Sequence, residues 1–312
     1  MRVAFVGGTH FVGPVAVPLL AEAGHEVVVA HTGGHEHPAV ADVEHLHGEY
    51  DDLLDEDGAV AAWSPQAIVT TFPGGATAAM AQALGACAAR CGAGQIVVVS
   101  SCDVYEHSVH AGIGDGSGVV PLPPQPIPID EDAPLRTRPY PGGSLEHDNV
   151  AMEQALHGCD RITVLRPGAI YGPFPNTRER YFVDRVRDGI HELELPDRGQ
   201  QIFHRVAVGR VGRAIVAALD RAPDGFWACN VVDPYDWTFA GLAGEVARLL
   251  DWEWELVEVP FAEADHPWAT AHPILASDTR LRFTLGVDAP DPREALAETI
   301  AWLWENREQR PS

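Results

Sequence analysis

The sequence predicts an α/β protein, a doubly wound parallel sheet followed by a smaller C-terminal α/β region. Three observations carry that reading. The chain opens on a strand, a glycine turn and a helix start, all between Met1 and Gly13. Short apolar, β-branched runs then alternate with helical patterns up to Val99. From His107 to Gly143 the composition turns to Gly and Pro, and a less regular second series of strands and helices follows. Such alternation places helices on both faces of a parallel sheet and a ligand crevice at the carboxyl ends of its strands. The Gly/Pro stretch reads as a cover over that crevice rather than a linker.

The first strand, Arg2 to Val6, runs into Gly7 and Gly8, and Gly13 follows at the start of a helix expected over about Phe11 to Ala23. A strand, a glycine turn and a helix N-terminus present unpaired N–H groups and a positive dipole end, the usual seat of a dinucleotide pyrophosphate. His10 stands where a middle glycine would let the backbone approach that group most closely. Pro14 suits the first turn, whereas Pro18 has no N–H and predicts a bend or a shifted start. Gly24 closes the helix, and Gly24 to Ala30 holds the second strand.

His31-Thr32-Gly33-Gly34-His35 then occupies the position that selects the cofactor. An acid there bonds the adenosine 2′-hydroxyl and an arginine accommodates a 2′-phosphate; neither is present. The missing acid leans the expectation toward NADP(H) over NAD(H), with His10, His31, Thr32 and His35 as donors to the phosphate. Five histidines between His31 and His47 raise the question of a metal. No carboxylate or cysteine falls in a recognisable ligand spacing with them, so no metal is expected.

Val43 to Gly48 alternates as a strand, with Glu49 and Tyr50 at its exit and a helix expected over about Asp51 to Ala62. Gln66 to Thr71 forms the next strand, and its exit, Thr71-Phe72-Pro73, passes beside the cofactor. A small-residue helix from Ala76 to Arg90 leads to the strongest apolar strand, Gln95 to Val99, which delivers Ser100-Ser101-Cys102-Asp103-Val104-Tyr105.

These segments resemble the short-chain dehydrogenase/reductase superfamily in its extended or atypical branch, the NAD-dependent epimerase/dehydratase-like proteins. Gly7 to Gly13, GGTHFVG, is similar to their GGTGFIG. Ser100 to Tyr105 resembles their Ser-Ser-x-x-Val-Tyr, and Glu49 to Asp52 their Gly-Asp-x-x-Asp beside the adenine. Leu165-Arg166-Pro167-Gly168-Ala169-Ile170-Tyr171-Gly172-Pro173 resembles their Arg-Pro-x-x-x-Tyr-Gly-Pro. The resemblance implies a Rossmann-type dinucleotide-binding domain over residues 1–172. Residues 173–312 become a mainly substrate-binding region with some elements returning to that core. It implies cofactor contacts from Gly7, Thr9, His10, Phe11, Val12, Gly13, His31, Thr32, His35, Glu49, Tyr50, Thr71, Phe72, Pro73, Ser100, Asn149, Pro167, Gly168, Ala169 and Ile170. Ser101 takes the place of the serine that bonds the reacting oxygen, and Tyr105 reads as structural.

One departure governs the chemistry. All 21 basic residues are arginines and the chain has no lysine, which excludes a lysine Schiff base, a lysine phosphate clamp and the superfamily's catalytic lysine. Its Tyr-x-x-x-Lys pair falls on Leu145 and Asn149. That lysine holds the nicotinamide ribose and pulls the tyrosine pKa down from about 10. Asn149 can bond the ribose but adds no charge. His147, with an ordinary pKa of about 6.5, and Tyr140, on the Pro/Gly segment, are the candidate proton donors. Ser101, His147, Tyr140 and Asn149 form the expected catalytic set.

The activity expected from this reading is an atypical, ketoreductase-like NAD(P)H-dependent reduction of a small carbonyl compound, aromatic or polyketide-like. Two alternatives stand beside it. One is a nucleotide-sugar epimerase or dehydratase, in which arginines among Arg178, Arg180, Arg185 and Arg187 clamp a diphosphate or serve as surface ion pairs. The other is a non-redox or non-catalytic nucleotide-binding member of the same fold. Where relatives carry Val-x-Asp-Val, this chain has Val208-Gly209-Arg210-Val211, a reversal of charge.

Composition narrows the partners. A formal charge of -24 works against nucleic-acid binding, which draws on clustered cations. No apolar run reaches the roughly 18 to 20 residues that span a bilayer, and Met1 to Val6 is already a strand, so a cytoplasmic protein with a small-molecule substrate is expected. The five cysteines include no Cys-x-x-Cys pair. Helix pairing into homodimers is common in the resembled superfamily.

Overall fold

The computed structural model describes residues 1–72, 75–112, 122–138, 147–157, 159–264 and 267–307. In chain order its first elements are β1 (Arg2–Val6), α1 (Gly13–Glu22), β2 (Glu26–His31), β3 (Glu44–His47), α2 (Tyr50–Leu54), α3 (Ala59–Trp63), β4 (Ala67–Thr70) and α4 (Ala78–Cys91). Next come β5 (Gln95–Val99), α5 (Glu106–His110), α6 (Asn149–Ala155), β6 (Arg161–Pro167), β7 (Ala169–Tyr171), α7 (Arg180–Arg187), β8 (Glu192–Pro196) and β9 (Arg205–Ala207). The last are α8 (Val208–Arg221), β10 (Gly225–Val231), α9 (Phe239–Leu250), β11 (Glu255–Val259), α10 (Thr279–Phe283) and α11 (Pro292–Glu305).

Seven strands form one sheet in the order β10-β6-β5-β4-β1-β2-β3, and every pairing in it is parallel. The order reverses between β1 and β4, so adjacent crossovers leave on opposite faces and open a crevice at the carboxyl ends of these two strands. β4 and β5 are buried along their whole length, the reason their sequences are continuous apolar runs rather than alternating ones. Ala16, Val17 and Leu20 of α1 and Val211, Ala214 and Ile215 of α8 cover one face. Leu84 and Cys87 of α4 and Met152 of α6 cover the other. A third cluster, including Phe182, Phe239, Trp268, Leu296 and Ile300, builds the C-terminal region. Two small parallel pairs, β8 with β11 and β7 with β9, belong to the second half, whose β10 joins the main sheet beside β6.

Local differences from the sequence reading have identifiable causes. Helix α1 starts at Gly13 because Phe11 is left-handed, with φ 59°, and it continues through Pro18. The single helix expected over 51–62 is two, α2 and α3, because the backbone extends at Asp55 and Gly58. A Cβ on Gly58 would lie 2.5 Å from the carbonyl oxygens of Asp52 and Leu53. Among the described residues no helix is long and apolar enough to cross a membrane.

Candidate active site

At the end of β1, Gly7 (φ 98°) and Gly8 (φ 92°) turn the chain, and the Gly7 N–H donates to the Ala30 carbonyl of β2 at 2.8 Å. A Cβ on Gly13 would sit 2.2 Å from the Gly8 Cα and carbonyl oxygen, so α1 packs this close only because that side chain is absent. No side chain caps α1 at Val12. The Gly13 N–H bonds the His10 carbonyl at 3.1 Å, those of Val15 and Ala16 bond the Val12 carbonyl and Pro14 has none, so what α1 presents to the crevice is the positive end of its dipole. This turn fits a dinucleotide pyrophosphate.

A cleft of about 210 Å³ adjoins the turn, lined by Gly7, Gly8, Thr9, His10, His31, Thr32, Gly34, His35, Tyr50 and Thr71. A larger cavity of about 890 Å³ shares Thr9, His10 and His35 with it and adds Phe11, Pro14, Phe174, Val208 and Trp302 among others. The His10 and His35 rings stack with centroids 3.8 Å apart. Burial, reinforced by His35 and His37, holds His10 below its usual pKa, and burial does the same to His31. Both imidazoles are thus neutral at pH 7 and supply no cation for a 2′-phosphate.

The chemical groups stand at the carboxyl end of β5. Ser100 Oγ donates to Glu153 Oε1 at 2.6 Å, and Glu153 also holds Arg166 through two bonds of 2.7 and 3.1 Å. This buried cluster, which includes Tyr105 donating to Asn230 Oδ1 at 2.6 Å, is structural. Ser101 Oγ accepts the Asp103 N–H at 3.1 Å, and a hydroxyl engaged that way still has its own proton to donate. Buried Asn149 donates from Nδ2 to both Asp103 carboxylate oxygens, at 3.0 and 3.1 Å. Asp148 caps α6 and pairs with Arg136 at 2.9 Å, while Arg136 Nε donates to the Asp103 carbonyl. His147 Nδ1 accepts the Ala76 N–H at 3.2 Å. The proton of the neutral ring is therefore on Nε2, 3.4 Å from Asn149 Nδ2. Burial outweighs Asn149, Arg136 and His147 and raises the Asp103 carboxyl above its usual pKa.

Of the expected set, Asn149 Nδ2 binds the Asp103 carboxylate with His147 Nε2 3.4 Å away, and Ser101 meets this group through the Asp103 N–H. The sequence reading passed over Asp103 as one of the variable positions of Ser-Ser-x-x-Val-Tyr; the available signal was an acid two residues beyond a serine at a strand end. Tyr140, Leu145 and Pro73 lie outside the described residues. Of the other expected cofactor contacts, Val12 is a buried core residue and Phe72 is buried in a left-handed conformation, φ 48°. Glu49 is exposed at the N-cap of α2 and does not line the cleft. Pro167 ends β6, and the Gly168 and Ala169 N–H groups bond Val231 and His204 carbonyls at 3.1 and 3.0 Å, with Ile170 packed on the core. The structure also gathers His31, Glu36, His45 and His47, supplying the carboxylate that sequence spacing did not pair with the histidines.

In the second half, Arg180 and Arg187 pair with Asp184, Arg185 lies over the Tyr181 ring and Arg178 over Phe203. The reversed charge at Arg210 is answered by Asp278 at 2.9 Å and Asp233 at 3.6 Å.

A profile of the NAD dependent epimerase/dehydratase family matches residues 3–227. Solved structures of the same fold include the UDP-glucose 4-epimerase of Bifidobacterium longum in complex with NAD+ and UDP. It is 15% identical with a TM-score of 0.72, over 99% of this chain and 100% of that one. The UDP-glucose 4-epimerase of Thermotoga maritima with UDP-glucose is 18% identical over 99% and 100% of the chains, TM-score 0.72. The dTDP-glucose 4,6-dehydratase of Streptomyces venezuelae with NAD bound is 20% identical over 99% of both chains, TM-score 0.69. No curated protein sequence matches the chain significantly. Two expectations are corrected by these findings. The ketoreductase reading gives way to the epimerase/dehydratase alternative. The lean toward NADP(H) gives way to NAD, which the family description and the structural relatives name, and which accords with burial favouring the neutral form of His10 and His31. The chain belongs to the NAD-dependent epimerase/dehydratase family.

Proposed function

We propose that this protein is a nucleotide-sugar epimerase or dehydratase with NAD as a resident cofactor. The Asp103 carboxylate that Asn149 holds beside Ser101 carries this reading, because it is a proton acceptor in a chain that has no lysine to serve the proton transfer. Gly7, Thr9 and the α1 N-terminus would hold the pyrophosphate, with Thr32, Tyr50 and Thr71 around the adenosine. The chemistry that NAD would supply when held there is reversible acceptance of a hydride from the sugar.

The protein's own groups handle the proton. Ser101 donates a hydrogen bond from its hydroxyl to the reacting sugar oxygen, and Asp103, its pKa raised by burial, takes the sugar hydroxyl's own proton as general base when the C–H hydride leaves and returns it when the hydride comes back. Asn149 holds both carboxylate oxygens in place. His147 is a hydrogen-bond donor through Nε2 as long as the Ala76 N–H occupies Nδ1, which makes it a polarising group rather than the base.

Calorimetric titration with NAD and NADP, followed by incubation with UDP-glucose, UDP-galactose and dTDP-glucose and NMR of the sugars, tests the reading. The expected result is tighter binding of NAD than NADP and conversion of a nucleotide sugar without net cofactor reduction. Absence of NAD binding, or one reduced cofactor consumed per product, overturns it.

A further inference from the structure

The connection from β2 to β3, residues 32–43, is the sheet's leanest crossover, with only a short turn at Pro38–Val40 where the others carry helices. Four side chains converge at this end of the two strands. His31 Nε2 lies 2.8 Å from His45 Nδ1 and 3.1 Å from His47 Nε2. Glu36 Oε1 lies 3.1 Å from His47 Nε2 and 3.5 Å from His31 Nε2, and Oε2 lies 3.2 Å from His45 Nδ1.

We propose that His31, Glu36, His45 and His47 bind one divalent transition-metal ion of the zinc class. Zinc bonds to imidazole nitrogen and carboxylate oxygen are about 2.0 to 2.2 Å long, which sets neighbouring donors of a tetrahedron about 3.3 Å apart. Taking one donor atom from each side chain, all four lie within 4.8 Å of one another, and those of His31, His47 and Glu36 Oε1 are 3.1 to 3.5 Å apart, close to that spacing. Three imidazoles and a carboxylate suit zinc or cobalt and are a poor set for magnesium or calcium, which prefer oxygen.

The outer partners support the assignment. His45 Nε2 donates to the Val40 carbonyl at 2.8 Å, so its proton lies away from the cluster and Nδ1 presents a lone pair. Without an ion the His31 proton sits on Nε2, since Nδ1 accepts the Gly33 N–H at 3.2 Å. Ligation moves that proton to Nδ1 and gives up this long bond. His47 likewise carries its proton on Nδ1 when bound. The ion pins the 32–43 loop to the sheet edge, and because His31, Thr32, Gly34 and His35 line the small cleft, it fixes one wall of that cleft. His31 then serves the ion rather than a nucleotide.

Tag-free protein stripped with a chelator and titrated with Zn²⁺ and Co²⁺ tests this without any cofactor or activity. The expected result is one tightly held ion per chain and the intense visible absorption of tetrahedral Co²⁺. Glu36→Ala and His47→Ala, at half-exposed positions where folding is not at stake, each weaken binding at least about tenfold. His37→Ala, outside the cluster, leaves it unchanged. Wild-type protein that retains no stoichiometric ion, a weak octahedral Co²⁺ spectrum, or variants that bind like wild type overturns the proposal.

Discussion

Replacing Gly13 by alanine probes the junction on which the nucleotide site rests. The new Cβ would approach the Gly8 Cα and carbonyl oxygen to 2.2 Å, backbone atoms that cannot rotate away. Restoring ordinary contact requires α1 to move from the turn by more than about 1 Å, and overpacking of this kind costs about 1 to 3 kcal/mol. With an unfolding entropy of about 2.1 cal/mol/K per residue, a chain of this length loses only about 2 to 5 °C in Tm. The sharper readout is NAD affinity, since the displaced helix start carries the positive dipole end that would face the pyrophosphate. Calorimetry should show a loss of at least about tenfold, or 1.4 kcal/mol. Gly24→Ala is the control: at φ 85° with no atom within 4 Å of its Cβ, it costs about 1 to 2 kcal/mol of backbone strain at the far end of α1. The two variants should therefore be similarly destabilised, and only Gly13→Ala should bind NAD weakly. Wild-type affinity in Gly13→Ala would refute the reasoning.

Further outcomes follow from the buried charges. Asp103→Asn should lower kcat about 10² to 10⁴-fold, and wild-type kcat should fall as pH drops through the raised pKa of Asp103, a limb the variant lacks. Because the native state keeps that proton longer than the unfolded one, wild-type stability declines as pH rises through the window above the ordinary carboxylate pKa, whereas Asp103→Asn escapes this decline in a thermal-unfolding series. Asp236, pushed up to about 7 by burial despite Arg205, gives the same sign. Asp236→Asn should match wild type near pH 4, gain stability relative to it up to about pH 7, and hold that gain above, as read by Tm across pH. Glu153→Gln strands buried Arg166 and should cost about 3 to 5 kcal/mol in denaturant unfolding.

The main sheet was legible because its strands are buried on both faces and so appear as unbroken apolar runs; β5 and α9 fall where the residues place them. The second half was less so. There Arg205–Ala207 is a three-residue strand, and Ile202 and Phe203 before it serve only isolated bridges to Thr238 and Ile274. The site shows the same division. Ser101 and Asn149 sit at element ends that local sequence marks, whereas Asp103 becomes a reactive group only through burial and a partner 46 residues away. Glu36 escaped notice for a related reason: two adjacent parallel strands and the loop between them, not a helical or Cys-x-x-Cys spacing, bring it to the histidines.

Every interior cation of this protein is a guanidinium. Arg166, Arg205 and Arg210, each nearly sealed from solvent, hold the two halves of the chain to their acids, and a guanidinium does not give up its proton in any buffer a protein survives. Alkali therefore has no ammonium to neutralise inside the fold. Among the internal groups that do titrate in alkali, burial pushes the Cys87 thiol up to about 11 and Tyr105 and Cys229 further still. A chain poor in positive charge is in this way built to keep its internal ties in strongly basic solution.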